Sequence, residues 1–307
     1  MTGAAGFIGC SVVRRLLARG AEVHLLLRPD AATWRLADIG DVRVHHVDLP
    51  DAAAVQAVVR ESAPAAVVHL ATHGAYESQA DNQRILKSNI LGSLNIMEAS
   101  LGAGVRVFVN LGSSSEYGVK QEAMRESDRL EPNSVYAVAK AAQTHLATLM
   151  AAKGRMSAIT FRLFSVYGPW EEPDRLIPTV IRRARAGLPL EMASPDTARD
   201  FVYVDDVVDA LVDFGRLQDL NGQIFNLGSG VQSTLRDVVD LVLSVARSRS
   251  EVRWGAMPAR RWDTNRWQAD ISKARSDLGW EPRHTLREGI VRMATWMESA
   301  GPAYAPP

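Results

Sequence analysis

Cysteine is nearly missing from this chain: Cys10 stands alone among 307 residues. A single thiol cannot close an intramolecular disulfide, so a disulfide-stapled fold is excluded. Cys10 falls on a helical stretch and reads as a small packing residue, not a nucleophile. Net charge is missing too, since 35 basic residues balance 35 acidic ones. That removes the electrostatic case for a nucleic-acid or anionic-membrane partner. No apolar run reaches about 18 residues, the length that reads as a transmembrane helix. No signal-peptide pattern opens the chain, no metal site is expected, and the absences together set the expectation of a cytoplasmic protein. Repeats, low-complexity tracts and Gly/Ser/Pro linkers are absent as well. What remains is 47% apolar and 23% charged, a globular composition long enough for one or two domains.

The chain opens on Met1-Thr2-Gly3-Ala4-Ala5-Gly6-Phe7-Ile8-Gly9, a G-x-x-G-x-x-G turn with an amphipathic helix over Cys10 to Arg19. Glycines let backbone approach an anion, and the first free N–H groups and the helix dipole meet it. Such a turn normally sits between a buried parallel strand and its helix. Here Met1 stands inside the turn.

A βα rhythm follows. Strands are expected over 22–27, 42–47, 65–71, 105–111 and 158–164, with helices over 52–61, 83–101 and 135–152 between them. The alternation predicts a doubly wound α/β sheet. Beyond Gly168-Pro169 the rhythm loosens. Helices are expected over 176–186, 205–214, 234–247 and 286–299, with a strand over 224–228. The reading divides the chain into a dinucleotide-binding Rossmann domain (1–168), a smaller mixed α/β substrate lobe interleaved with the sheet (169–300) and a frayed tail (301–307).

Two further constellations carry chemistry. Tyr136-Ala137-Val138-Ala139-Lys140 places a phenol and an ammonium at i and i+4 on one helix face. A tyrosine titrates near 10, and a neighbouring ammonium favours the phenolate. Gly112-Ser113-Ser114-Ser115-Glu116-Tyr117-Gly118 follows an expected strand, where ligands of an open α/β sheet bind. Alone, either pattern fits an unrelated helix or a Ser-rich loop. Together with the glycine turn they are specific.

The chain resembles the extended short-chain dehydrogenase/reductase superfamily, the nucleotide-sugar epimerases, dehydratases and ketoreductases, from Thr2 to about Glu298. The matching stretches, in order, are Thr2 to Gly9, Val67 to Ala71, Lys87 to Gly92, Tyr136 to Lys140, Phe161 to Pro169, Arg199 to Asp206 and Asn226 to Gly230. The resemblance implies that Gly3, Gly6 and Gly9 hold the pyrophosphate and that Phe7 and Ile8 between them also bind the cofactor. It implies that Asp48 and Leu49 sit by the adenine, and that Leu70 and Ala71 lie along the cofactor. Asn89 is then the helix asparagine near the active site. Lys140 would bond the nicotinamide ribose, Tyr136 would be the acid/base, and Ser113 would hydrogen-bond the reacting oxygen, with Ser114 the one-residue alternative. Relatives carry a strand residue where Met1 stands, so the recorded start is expected to lie too late.

Relatives that use NAD carry an acid at the end of the second strand, where this chain has Leu27 followed by Arg28. A guanidinium suits a 2′-phosphate, so NADP is expected ahead of NAD. Arg199 matches a family arginine on the substrate diphosphate, and Arg260 fits a second by spacing, with Arg261 the fallback. Ser165 stands where many relatives have Asn. Ser113-Ser114-Ser115 lacks the Thr-Asp-Glu of sugar 4,6-dehydratases, and Glu116 is displaced by one from the glutamate of other relatives and is given no role. The leading expectation is a reductase of an NDP-4-keto-6-deoxyhexose at C4. The alternatives are an NDP-sugar 4-epimerase and a non-catalytic NADP-binding regulator. A homodimer through the helices at 83–101 and 135–152 fits the family habit.

Overall fold

A computed structural model of the chain describes residues 1–76, 79–258, 264–301 and 304. Its first half alternates helix and strand: α1 (Phe7–Ala18), β1 (His24–Leu27), β2 (Arg43–His46), α2 (Ala52–Ser62) and β3 (Ala66–His69). Next, α3 (Asn82–Leu86), a π-helical turn (Lys87–Leu91) and α4 (Gly92–Gly102) run on as one rod, with helical dihedrals at each junction. β4 (Val107–Ser113), α5 (Val135–Ala152), β5 (Ser157–Leu163) and β6 (Ser165–Tyr167) follow. Then come α6 (Leu176–Arg185), β7 (Leu190–Met192), β8 (Ala198–Tyr203), α7 (Val204–Leu211), α8 (Phe214–Leu217) and β9 (Ile224–Leu227). The chain ends with β10 (Gln232–Thr234), α9 (Leu235–Ala246), β11 (Val252–Trp254), α10 (Ser272–Ser276) and α11 (Leu286–Ser299).

The α/β alternation read from the sequence is the observed one, and α5 and α11 fall on the expected residues. The helix expected over 205–214 is two helices instead. Asp213 ends the first by capping the second, its carboxylate accepting from Arg216 N. The short strands β6, β7, β8, β10 and β11 had no sequence counterpart, because three to six residues leave little alternation to read.

Two compact units emerge. The first comprises residues 1–118, 126–163 and 208–226, so its main stretch ends at Leu163 and not at the expected 168. It holds a sheet of order β2-β1-Thr2-β3-β4-β5-β9. The pairs β1–β2, β3–β4 and β4–β5 are parallel. Every residue of β5 is buried, as expected of a parallel strand covered on both faces. Thr2 alone spans β1 and β3, paired with Leu26 on one side and His69 on the other. Its N–H donates to Val68 O (3.0 Å) and its carbonyl accepts from Leu70 N (3.3 Å). Beside Met1 and Thr2 lies a small pocket lined by His24, Leu26, Val59, Val67 and Ile96 among others. The apolar core of this unit includes Val55, Val67, Ile96, Met97 and Phe108.

The second unit comprises residues 119–125, 164–207 and 227–307. In it β8 pairs antiparallel with β10 and parallel with β6, while β7 pairs parallel with β11. Its core gathers Tyr167, Ile177, Tyr203, Val238 and Met293. No helix among the described residues is long and apolar enough to cross a membrane.

Candidate active site

The glycine turn is built for close approach. Gly3 has φ +70°, and a Cβ there would lie 2.5 Å from both Ala71 N and Leu70 C. A Cβ on Gly9 would lie 2.0 Å from Gly3 O. Gly6 is the N-cap of α1; its N–H donates to Gly3 O (3.1 Å) and its carbonyl accepts from Cys10 N (2.9 Å). No side chain caps this helix end and no acid occupies its first turn. The leading N–H groups and the dipole are therefore left to an anion, and the cradle fits a dinucleotide pyrophosphate. Phe7 and Gly9 are buried and Ile8 is half-buried, so α1 packs firmly on the sheet behind the cradle. Towards the other edge, Asp48 is exposed and Leu49 buried. The Leu49 carbonyl accepts from Asn95 Nδ2 (2.8 Å), which pins the strand end expected beside an adenine.

The end of β4 carries the second constellation. Ser113 is the N-cap of a short 3-10 turn, Ser114–Tyr117. Its Oγ accepts from Ser115 N (3.2 Å), which leaves its own O–H to donate. Ser134 caps α5 by accepting from Ala137 N (3.1 Å), setting the phase that puts Tyr136 and Lys140 on one face. Lys140 is buried; its Nζ donates to the carbonyl of Leu111 and to Gln143 Oε1 (2.6 Å). The α5 lysine is thus tied to the strand that ends in Ser113. Gln143 Nε2 donates in turn to Asn110 Oδ1 (2.7 Å), and Asn110 Nδ2 to Thr160 Oγ1 (3.0 Å). Burial pushes the Lys140 ammonium down to about 8, with the Glu116 charge opposing the shift.

Asn89 completes the group. It is fully buried in the π-helical turn, a feature often found at functional sites. Its Oδ1 accepts from His73 N (2.8 Å) and its Nδ2 donates to His73 O (2.8 Å). The neighbouring Gly74 has φ +92°, and a Cβ there would lie 3.4 Å from Tyr136 Cδ2. Asn89 therefore fixes the loop that borders the Tyr136 ring. Within the first unit, Lys140 is bonded to the strand that ends in Ser113, and the loop held by Asn89 borders the Tyr136 ring.

Glu116 has a role the sequence reading did not assign. It is fully buried; Oε1 accepts from Ser113 N (2.8 Å) and Thr144 Oγ1 (3.1 Å), and Oε2 from Arg162 Nε (2.9 Å). Arg162 Nη1 also donates to Tyr117 Oη (3.0 Å), which donates to Asn226 Oδ1 (2.7 Å). The ion pair anchors the turn that presents Ser113. The signal was present: Ser113 and Glu116 stand at capping-box spacing, and the box is formed.

Arg28 follows β1 and is half-buried. Its Nη1 lies 3.8 Å from Asp30 Oδ1, and Arg84 Nη2 lies 3.7 Å from the other oxygen. In the second unit, half-buried Ser165 opens β6. Arg199, on β8, donates to Ala198 O (2.7 Å) and sits 5.6 Å over the Trp267 ring. The adjacent Asp200 is fully buried and accepts from Gly230 N (3.0 Å) and Ala269 N (3.0 Å); burial raises its pKa. Arg260 and Arg261 lie outside the described residues. Among the described residues no group of His, Cys, Asp and Glu could hold a metal ion.

A glycine cradle at an uncapped helix start, with Ser, Tyr and a buried Lys at the end of a parallel strand, fits the class of dinucleotide-dependent α/β enzymes. Residues 1–228 match the model of the NAD dependent epimerase/dehydratase family. The chain belongs to that family. It is 33% identical to MoeE5, solved with UDP-glucuronic acid and NAD, over 97% of each chain with a TM-score of 0.85. It is 31% identical to the UDP-glucose 4-epimerase of Thermus thermophilus, solved with NAD, over 98% of each chain with a TM-score of 0.87. It is also 29% identical to the dTDP-glucose 4,6-dehydratase of Streptomyces antibioticus, over 96% of this chain and 91% of that one.

Proposed function

We propose that the protein is an NAD-dependent epimerase that inverts C4 of a nucleoside-diphosphate hexose. The observation that carries this reading is the loop after β4. Dehydration of the sugar needs an acid beside the catalytic hydroxyl, and Ser114 and Ser115 offer none. The one carboxylate of the Ser114–Tyr117 turn, Glu116, is buried and committed to Arg162, Ser113 and Thr144. What remains suits oxidation and reduction at one carbon. A bound NAD supplies the hydride acceptor and donor. Tyr136 Oη takes the proton of the C4 hydroxyl as that carbon becomes a carbonyl, and returns it on reduction. Ser113 O–H donates to the same oxygen, and the Lys140 charge favours the Tyr136 phenolate.

NAD, not the NADP expected from the sequence, fits the surroundings of Arg28. The Asp30 carboxylate, set against both the Arg28 and the Arg84 guanidinium, already offers them an anion and would meet a 2′-phosphate with like charge, although Arg84 adds a second positive charge. Two relatives of more than 30% identity, solved with NAD, support the same choice. Reduction of a 4-keto sugar stays as the second reading, because Arg28 could still turn to a 2′-phosphate. Arg199 and Arg260 would serve the nucleotide diphosphate, and Ser165 would face the substrate. Exposed Leu91, Val138 and Leu149 support a homodimer through the π-helical turn and α5.

The experiment is incubation with a panel of UDP- and dTDP-hexoses, following C4 configuration by proton NMR and NAD(P)H absorbance together. Inversion without net absorbance change is expected, and Tyr136→Phe should abolish it. Consumption of NADPH with a 4-keto sugar would establish the reductase instead.

A further inference from the structure

His69 is fully buried and takes no part in the chemistry above. It ends β3, between the glycine turn and the π-helical turn. Its Nδ1 lies 2.7 Å from Thr2 Oγ1, and its Nε2 lies 2.8 Å from Ser93 Oγ. The Ser93 hydroxyl has one hydrogen and gives it to the Asn89 carbonyl (2.7 Å), so it must accept from His69 Nε2–H. Nδ1 is then bare and accepts the Thr2 hydroxyl hydrogen. Thr2 Oγ1 accepts from Ala71 N (3.2 Å). The bonds therefore run one way, from Ala71 through Thr2, His69 and Ser93 to Asn89, and this network assigns the tautomer. Burial first, then the Lys140 and N-terminal ammonium charges, hold the imidazole pKa at about 3, so the ring stays neutral.

Each end of this chain of bonds reaches a functional segment. Thr2 precedes Gly3, and Ala71 N is an atom that a Gly3 Cβ would strike. At the other end the Asn89 side chain clamps the His73 backbone, and the next residue borders Tyr136. A ring that only filled space would need neither two partners nor one tautomer. We propose that His69 is a positioning residue: through one tautomer it holds the cofactor turn in register with the loop that borders Tyr136. The inference rests on reading Gly3–Gly9 as the cofactor turn and Tyr136 as the acid/base.

Histidine-selective ¹⁵N NMR on the intact chain should find His69 as the Nε2–H tautomer, with no titration between about pH 5 and 8. Thr2→Val cuts one arm at nearly constant shape, and Ser93→Ala cuts the other. Thr2→Val should weaken NADH binding, read by fluorescence, roughly five- to thirtyfold, with kcat at saturating cofactor little changed. Ser93→Ala should do the reverse, lowering kcat by a similar factor and leaving NADH affinity within about twofold. His69→Gln, whose amide offers one acceptor and one donor, should recover part of what His69→Leu loses. An Nδ1–H tautomer would overturn the proposal. So would Thr2→Val and Ser93→Ala variants that lower only the melting temperature. An unaltered chain that turns over no nucleotide sugar would sink the functional reading alone; the tautomer and the NADH affinities would still decide the role of His69.

Discussion

Replacing Glu116 by glutamine keeps the side-chain shape and removes one charge from the pair with Arg162. The two side chains are 0% and 3% exposed, so water cannot compensate the change. The new amide also cannot satisfy its neighbours. One carboxylate oxygen accepts from Ser113 N and Thr144 Oγ1, the other from Arg162 Nε, so the amide NH₂ must face a donor on one side. Breaking a buried ion pair by removing one partner costs about 3–5 kcal/mol, because the other charge is left uncompensated. With Tm moving about 2–4 °C per kcal/mol at this size, the melting point should fall by roughly 6–20 °C. Arg162→Met should cost a similar amount. The double variant Glu116→Gln/Arg162→Met should recover much of the loss, since no buried charge remains. Calorimetry on the four proteins gives the cycle. Single variants that cost less than about 1 kcal/mol, or a double variant as costly as the sum, would refute the role given to this pair.

Lys140 gives a pH prediction with a definite sign. Its folded pKa is near 8 against an ordinary 10.5, so between those values the unfolded chain binds more protons. The cost of burying the charge is present in full below pH 8 and is relieved as pH rises to 10.5, by up to about 3 kcal/mol. Urea titrations across this range should show that rising limb, and Lys140→Met should erase it. Gly9→Ala places a methyl 2.0 Å from the Gly3 carbonyl oxygen, which cannot move without breaking the turn. Its NADH affinity should fall at least about tenfold, with a stability loss of about 1–3 kcal/mol from overpacking, both readable by titration calorimetry and thermal melting. Asp30→Ser removes a charge beside Arg28 and should move the NADP-to-NAD affinity ratio roughly fivefold towards NADP, from about 1 kcal/mol between unit charges 4 Å apart in water.

Much of the first unit was legible because its elements announce themselves. The helix at Val135–Ala152 carries a serine cap and a long apolar face, and β5 is an unbroken buried run. Tyr136 and Lys140 could be paired from spacing alone, since i and i+4 meet on any helix. The partners of Lys140 could not. Gln143 shares its helix, but Leu111 and Asn110 come from a strand, and only the folded sheet brings them near. Glu116 was half legible: its capping-box spacing was in the sequence, yet Arg162 lies 46 residues away. The π-helical turn at Asn89 was invisible, because Lys87–Leu91 keeps ordinary helical composition and differs only in its hydrogen bonding. Arg28 read alone suggested NADP; Asp30, two residues on, changes the charge that a ribose phosphate would meet.

The central claim is that one carbon is oxidised and reduced at one site, with Tyr136 moving the proton and the hydride never leaving. A UDP-hexose carrying deuterium at C4, incubated in ordinary water with the purified protein, tests it most directly. Retention of the deuterium at C4 in the inverted product is the expected result. Loss of the label to solvent, or its appearance on free NADH, would contradict the account.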